Sequence, residues 1–196
     1  MIEEKRMSRA FTKEVDDAPD NELIGASSEL PPGVKNYMTP LGHRRLADEL
    51  RHLTELGRPE AARLAAQAAA ASESLEEQTQ KRRLRQIEAR MQFLRRRLEQ
   101  AEVVDPLKRG AAAKVFFGAT VRYANRAGEE KTVAIVGVDE MDIGLGYITF
   151  LSPLAKALLG ASEGDVVPFQ SPGGRDELEV LEIAYREIPM RPFESR

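Results

Sequence analysis

The chain has 196 residues, 42% of them hydrophobic, with 29 Lys and Arg against 32 Asp and Glu for a formal charge of −3, which allows one domain or two small ones and does not by itself announce a nucleic-acid binder. There is no Cys and no Trp, which excludes a disulfide framework, a thiolate metal site and cysteine nucleophilic chemistry. No run approaches the roughly 20 apolar residues of a membrane helix, and the polar, acidic N-terminus lacks the pattern of a signal peptide, so the expected location is the cytoplasm.

Residues 1–36 mix Asp, Glu, Lys, Ser, Pro and Gly with no sustained period and read as a mostly disordered tail. Thr39-Pro40 then starts a helix, Thr as the cap and Pro in the first turn, where its missing N–H is no loss. Leu46, Leu50 and Leu53 mark one apolar face. Gly57-Arg58-Pro59 predicts a kink, after which an Ala-rich helix runs to Ala70. The second helix carries the clearest periodicity, with Leu84, Ile87, Met91, Leu94, Leu98 and Ala101 at spacings of three and four. Such a seam needs a partner, and the short connection forces the two helices to run antiparallel as a hairpin on the order of 45 Å long. Ser74 followed by Glu77 reads as a capping box for the returning helix.

Val103-Val104-Asp105-Pro106 ends the hairpin, placing a boundary near residue 107 between a hairpin of residues 37–106 and a domain of residues 107–190, with 191–196 as a tail. Strands are expected at 114–117, 120–123, 132–138, 147–151, 166–170 and 177–185, with turns at Ala127-Gly128 and Pro172-Gly173-Gly174 and a short helix from Pro153 to Leu159. The fold class is therefore α+β in two parts, a helical hairpin followed by a small antiparallel-sheet domain.

Two clusters could carry chemistry. Lys81, Arg82, Arg83, Arg85, Arg90, Arg95, Arg96 and Arg97 lie mainly outside the seam, a basic flank that could track a phosphate backbone or be a solvated face partly paired with Glu88 and Glu99. Glu73, Glu76 and Glu77 gather at the hairpin tip, where carboxylates could share a divalent cation or simply favour a helix N-terminus. His43 and His52 are not spaced with other ligands and read as helix-surface residues.

The motifs Met38-Thr39-Pro40-Leu41-Gly42, Arg58-Pro59-Glu60, Lys81-Arg82-Arg83-Leu84-Arg85-Gln86-Ile87-Glu88, Val103-Val104-Asp105-Pro106, Lys114-Val115-Phe116-Phe117-Gly118 and Ser152-Pro153-Leu154-Ala155-Lys156-Ala157-Leu158-Leu159-Gly160 together resemble the bacterial Gre-type transcript-cleavage factors, closer to the GreB branch. The resemblance spans about residues 37–188. It implies an N-terminal coiled-coil hairpin and a C-terminal FKBP-like domain, a monomer that docks at the secondary channel of bacterial RNA polymerase. It also implies contact with nascent RNA, and no cofactor beyond the Mg²⁺ held in the polymerase active site.

By that resemblance Glu73 and Glu76 are the catalytic, metal-sharing pair at the tip, Lys81, Arg82, Arg83 and Arg85 face RNA, and Leu151, Ser152 and Pro153 form the polymerase-docking edge. Counted from Thr39-Pro40, the family's Asp-x-x-Glu falls on Glu73 and Glu76. Counted back from Lys81, it falls on Ala70 and Glu73, so the tip is three residues shorter than the pattern. Glu77-Gln78-Thr79-Gln80 stands where the family has Asn-Ala-Asp-Tyr. Two alternatives stay open: a secondary-channel regulator that binds without stimulating cleavage, and an FKBP-like prolyl isomerase or chaperone, disfavoured by the few aromatics available to line a pocket.

Overall fold

The computed structural model describes residues 30–71, 74–110, 112–171 and 174–193. Most of the expected N-terminal tail, the side chain of Ser74 and two residues of the 172–174 turn lie outside the described residues.

Helix α1 (Pro40–His52) begins where Thr39, in extended conformation, accepts the Gly42 N–H on its hydroxyl at 3.1 Å. The expected kink at Gly57-Arg58-Pro59 takes the form of a π-helical turn over Leu53–Gly57, leading without a break into α2 (Arg58–Ala70). A π turn accommodates the missing Pro59 donor by widening the ladder rather than ending the helix. Helix α3 (Ser74–Glu99) returns alongside. Ala61, Ala65 and Ala68 are buried on α2, and Met91 and Leu94 on α3. The small side chains of α2 leave room for the longer ones of the seam.

At the base of the hairpin the sequence expectation needs correction. Ala101 does not extend the helical seam. It opens a three-residue strand β2 (Ala101–Val103) that pairs in parallel with β1 (Asn36–Met38). Asn36, read as the end of a tail, is 4% exposed and donates its side-chain amide to Arg97 O at 2.8 Å. Met38, Leu46 and Leu94 form a buried cluster against this small sheet, with Leu50, Leu53, Phe93, Leu98 and Ala101 packed on it.

The second part is a curled five-stranded sheet in the order β5-β4-β3-β7-β6, built from β3 (Thr120–Asn125), β4 (Glu130–Val136), β5 (Tyr147–Thr149), β6 (Val166–Ser171) and β7 (Gly174–Ala184). The pairings are antiparallel except that β5 joins β4 in parallel, so the sheet is mixed. Helix α4 (Pro153–Leu158) lays Ala155 and Leu158 on a core of Val115, Val121, Ile135, Leu178 and Val180. The strand expected at 114–117 is absent. That segment instead bonds to the link after α4, with Val115 N donating to Ala161 O and Gly160 N to Val115 O, both at 2.8 Å. Its apolar residues serve the core without joining the sheet.

What joins the two parts is a buried carboxylate. Glu140, in a 3₁₀ turn (Val138–Glu140), is 1% exposed. It accepts the Thr39 N–H at 3.0 and 3.1 Å on its two oxygens, the Gly137 N–H at 2.7 Å and the Thr39 hydroxyl. Neighbouring Asp139 faces Arg97 at 3.3 Å, and its carbonyl accepts Arg45 at 2.5 Å. Gly42 is required here for space: a Cβ on it would lie 1.8 Å from Glu140 Oε1. A second contact is aromatic, with Tyr37 of β1 centred 5.5 Å from Phe117 and 5.7 Å from Phe150.

Glu140→Ala leaves the Thr39 and Gly137 donors without their acceptor and is expected to cost about 1–3 kcal/mol. Gly42→Ala, which forces the carboxylate out, should cost a comparable amount. Both are read from urea unfolding. Burial pushes the Glu140 carboxyl above its ordinary value, with the hydrogen bonds from Thr39 and Gly137 pulling back. The folded chain thus holds this proton more tightly than the unfolded chain, so the stabilisation is complete below the unfolded pKa and declines as pH rises through the folded one. The advantage of wild type over Glu140→Ala is expected to be larger at about pH 4 than at about pH 8.

Candidate functional site

The hairpin tip lies at the end of an arm whose outgoing strand of helix, Pro40–Ala70, spans on the order of 45 Å. Helix α2 ends with Ala71 still in right-handed helical conformation, and α3 resumes at Ser74. The reversal is therefore short. Glu76 and Glu77 occupy the first turn of α3, where the exposed N–H groups favour negative charge. Glu76 is exposed, whereas Glu77 is half-buried and paired with Lys81 one turn on. Glu73, the other member of the expected pair, lies outside the described residues, as does the Ser74 side chain of the expected capping box. Among the described residues no cluster of three or more His, Asp or Glu is arranged to hold a metal.

The basic flank divides into two groups. Lys81, Arg82, Arg83 and Arg85 are all exposed on the tip half of α3, and Arg95 and Arg96 are exposed nearer the base. Arg90 and Arg97, which the sequence grouped with them, belong to the hairpin's own structure. Arg90 makes a two-pronged ion pair with Glu49 at 2.7 and 2.9 Å. Arg97 is 5% exposed against Asp139. Their guanidinium groups lie 5.1 and 5.2 Å from the centre of the Phe93 ring, a cation–π arrangement on one helix face. Glu88 pairs across the hairpin with Arg58 at 2.9 Å. Asp139 is raised above its ordinary value by burial, which Arg97, Arg90 and Arg45 oppose.

The proposed docking edge is a short turn between β5 and α4. Ser152 accepts the Ala155 N–H on its hydroxyl at 3.1 Å and so caps α4, with Pro153 in the first turn. Leu151 and Ser152 are half-exposed and Pro153 is exposed. The residue just before them, Phe150, packs edge-on against Phe117 at 5.9 Å and contacts Tyr37. This edge is thus seated directly on the aromatic contact at the hairpin base. His43 is half-buried on α1, and His52 is stacked on Phe193, their ring centres 5.3 Å apart.

Sequence reasoning missed Glu140, Asp139 and the base of the hairpin. A usable signal was present: Gly42 sits in the first turn of an otherwise strong helix, where a poor helix former calls for a reason of space.

A helical hairpin with carboxylates in the first turn of its returning helix is thus clasped at its base to a mixed-sheet domain. The family model described as transcription elongation factor, GreA/GreB, C-term, matches residues 110–185, and the one described as transcription elongation factor, N-terminal, matches residues 36–103. Among similar proteins, transcription elongation factor GreB of Neisseria meningitidis is 46% identical over 158 residues, covering 79% of this chain and 97% of that protein. Transcription elongation factor GreA of Xanthomonas axonopodis pv. citri is 41% identical, covering 76% of this chain and 96% of its own length. A solved structure, the GreA factor homolog 1 (Gfh1) of Thermus thermophilus, is 26% identical with a TM-score of 0.36, covering 77% of this chain and 99% of that one. The chain belongs to the GreA/GreB family of transcription elongation factors.

Replacing Ser152 by Ala removes the cap of α4 and is expected to cost about 1 kcal/mol, whereas Asn retains an acceptor. Faster amide exchange over residues 154–158 in Ser152→Ala, and near-wild-type exchange in Ser152→Asn, would report it.

Proposed function

We propose that this protein acts on bacterial RNA polymerase as a transcription elongation factor, inserting its hairpin through the secondary channel and rescuing backtracked complexes by stimulating the polymerase's own Mg²⁺-dependent RNA cleavage. The observation that carries the reading is the placement of Glu76 in the first turn of α3, at the far end of an arm fixed at its base. The chain divides in this reading into a hairpin of residues 37–106 and a docking domain of residues 107–190. It works as a monomer in the cytoplasm.

The chemistry then belongs to the polymerase. Mg²⁺ commonly takes one or two protein carboxylates and fills the rest of its shell with water and phosphate oxygens. A tip offering Glu73 and Glu76 fits the part of a supplementary ligand rather than a resident metal site. Bound there, the ion would lower the pKa of a coordinated water and stabilise charge on the phosphate under attack. The chain's own contributions in this reading are positioning and electrostatics: Glu73 and Glu76 help orient the attacking water, and Lys81, Arg82, Arg83 and Arg85 offer positive charge to the RNA backbone. Leu151, Ser152 and Pro153 supply the docking contact, an apolar side chain beside a rigid capped helix start.

A second reading keeps the docking without the cleavage. It is favoured by the short reversal between Ala71 and Ser74, three residues less than the family spacing. One assay separates them: RNA shortening in defined backtracked elongation complexes at several Mg²⁺ concentrations. The Glu73→Gln/Glu76→Gln variant is expected to lower stimulated cleavage by on the order of 100-fold while leaving polymerase binding unchanged. Tight binding by the wild-type protein with no shortening would instead identify a channel-binding regulator.

A further inference from the structure

The last strand ends at Ala184 and the family match at residue 185, yet the chain continues along the molecule. Ile188, 3% exposed, is buried against Ala134 and Val136 of β4, with Tyr147 and Met190 packed around it. The Tyr147 hydroxyl donates to Pro189 O at 2.7 Å. Arg191 then reaches Asp142 at 2.9 Å. Phe193 reaches the hairpin, its ring 5.3 Å from that of His52, the last residue of α1. One short segment thus begins on the sheet and ends on the hairpin.

We propose that Arg186–Phe193 is a strap that fixes the tilt of the hairpin relative to the sheet domain, with Arg191 and Phe193 as positioning residues for the tip. The Glu140 clasp, the Arg45 and Arg97 contacts to Asp139 and the Tyr37 ring contacts all lie at the base of the hairpin, and attachments gathered at one end of a rod fix its tilt less well than one placed further along it. Phe193 grips α1 at His52, roughly 18 Å further along its axis, and two attachments along a rod define its direction. Domains joined over a small contact otherwise move as rigid bodies. The lever is long: a rotation of about 5° at the base carries the tip by roughly 4 Å on an arm of about 45 Å, more than a positioned catalytic group tolerates.

The strap has a fixed half and a light half. Ile188 and the Tyr147–Pro189 bond anchor it to the sheet, whereas the Arg191 side chain is 65% exposed and its ion pair is screened by solvent. Removing Arg191 and Phe193 therefore leaves the Ile188 anchor in place, frees the outer end of the segment from Asp142 and releases the Phe193 contact with the hairpin.

Because the chain has no Cys, spin labels on Ala66→Cys of α2 and Lys131→Cys of β4, both exposed positions, report the tilt without background. Electron–electron distance measurements are expected to give one narrow distribution in the otherwise wild-type chain. In Arg191→Ala/Phe193→Ala it should broaden or shift by several ångströms, with Phe193→Tyr restoring the narrow form and the thermal midpoint unchanged. An unchanged distribution in the double variant would overturn the strap; Phe193→Ala alone gives the same decision if the double variant folds poorly. The activity arm rests on the function proposed above: at saturating factor the double variant should cleave roughly fivefold more slowly with its half-maximal concentration unaltered. A wild-type protein that cleaves nothing would refute the tip chemistry while the distances still decide the strap.

Discussion

A carboxylate withdrawn from water must find donors for both oxygens or leave its desolvation uncompensated. Glu140 finds them on the Thr39 backbone and hydroxyl and on Gly137 N, and two of those groups belong to the start of the hairpin. The same Thr39 hydroxyl caps α1 by accepting from Gly42. Helix initiation and domain attachment are therefore one network, in which the hydroxyl donates in one direction and accepts in the other. The absence of a side chain on Gly42 lets the carboxylate reach it.

From that point outward the molecule is arranged by which charges are committed. At the base, Arg45, Arg90 and Arg97 converge on Asp139 and Glu49, holding the hairpin to the sheet domain and its two helices to each other. Towards the tip the arginines are exposed and the buried residues of α2 are Ala. The arm is thus held by ion pairs where it is attached, and is slim and rich in exposed basic side chains towards its tip. The turn Leu151–Pro153 follows directly on Phe150, which shares the aromatic contact of Tyr37 and Phe117 at the hairpin base.

The long helices were legible because their apolar residues repeat every three or four positions over several turns, and the cap at Thr39-Pro40 is local chemistry. The five strands of the sheet were legible in position, with ends off by one to three residues. The base was not, for physical reasons. Strands β1 and β2 are three residues each, too short for a period-2 pattern, and Ala101 continues the helical spacing by coincidence of size. Arg97 looks like its neighbours until Asp139, 42 residues away, is folded against it. Glu140 reads as one more surface acid, since its partner Thr39 lies 101 residues earlier. Long-range pairing of polar groups leaves no local signature. At the tip, the sequence placed the acidic turn at the start of α3, where Glu76 stands, while the pairing with Glu73 remains part of the proposed function.

The π turn at Leu53–Gly57 has a geometric effect on everything beyond it. Each residue of an α-helix advances the side-chain direction by about 100°. Without an extra residue absorbed in the wide turn, the Ala61, Ala65 and Ala68 face would sit roughly 60° away from that of Leu46, Leu50 and Leu53. With it, both faces look toward α3. The turn therefore acts as a phase corrector, letting the outgoing helix carry one residue too many for a regular spiral while its distal half stays aligned with its proximal half.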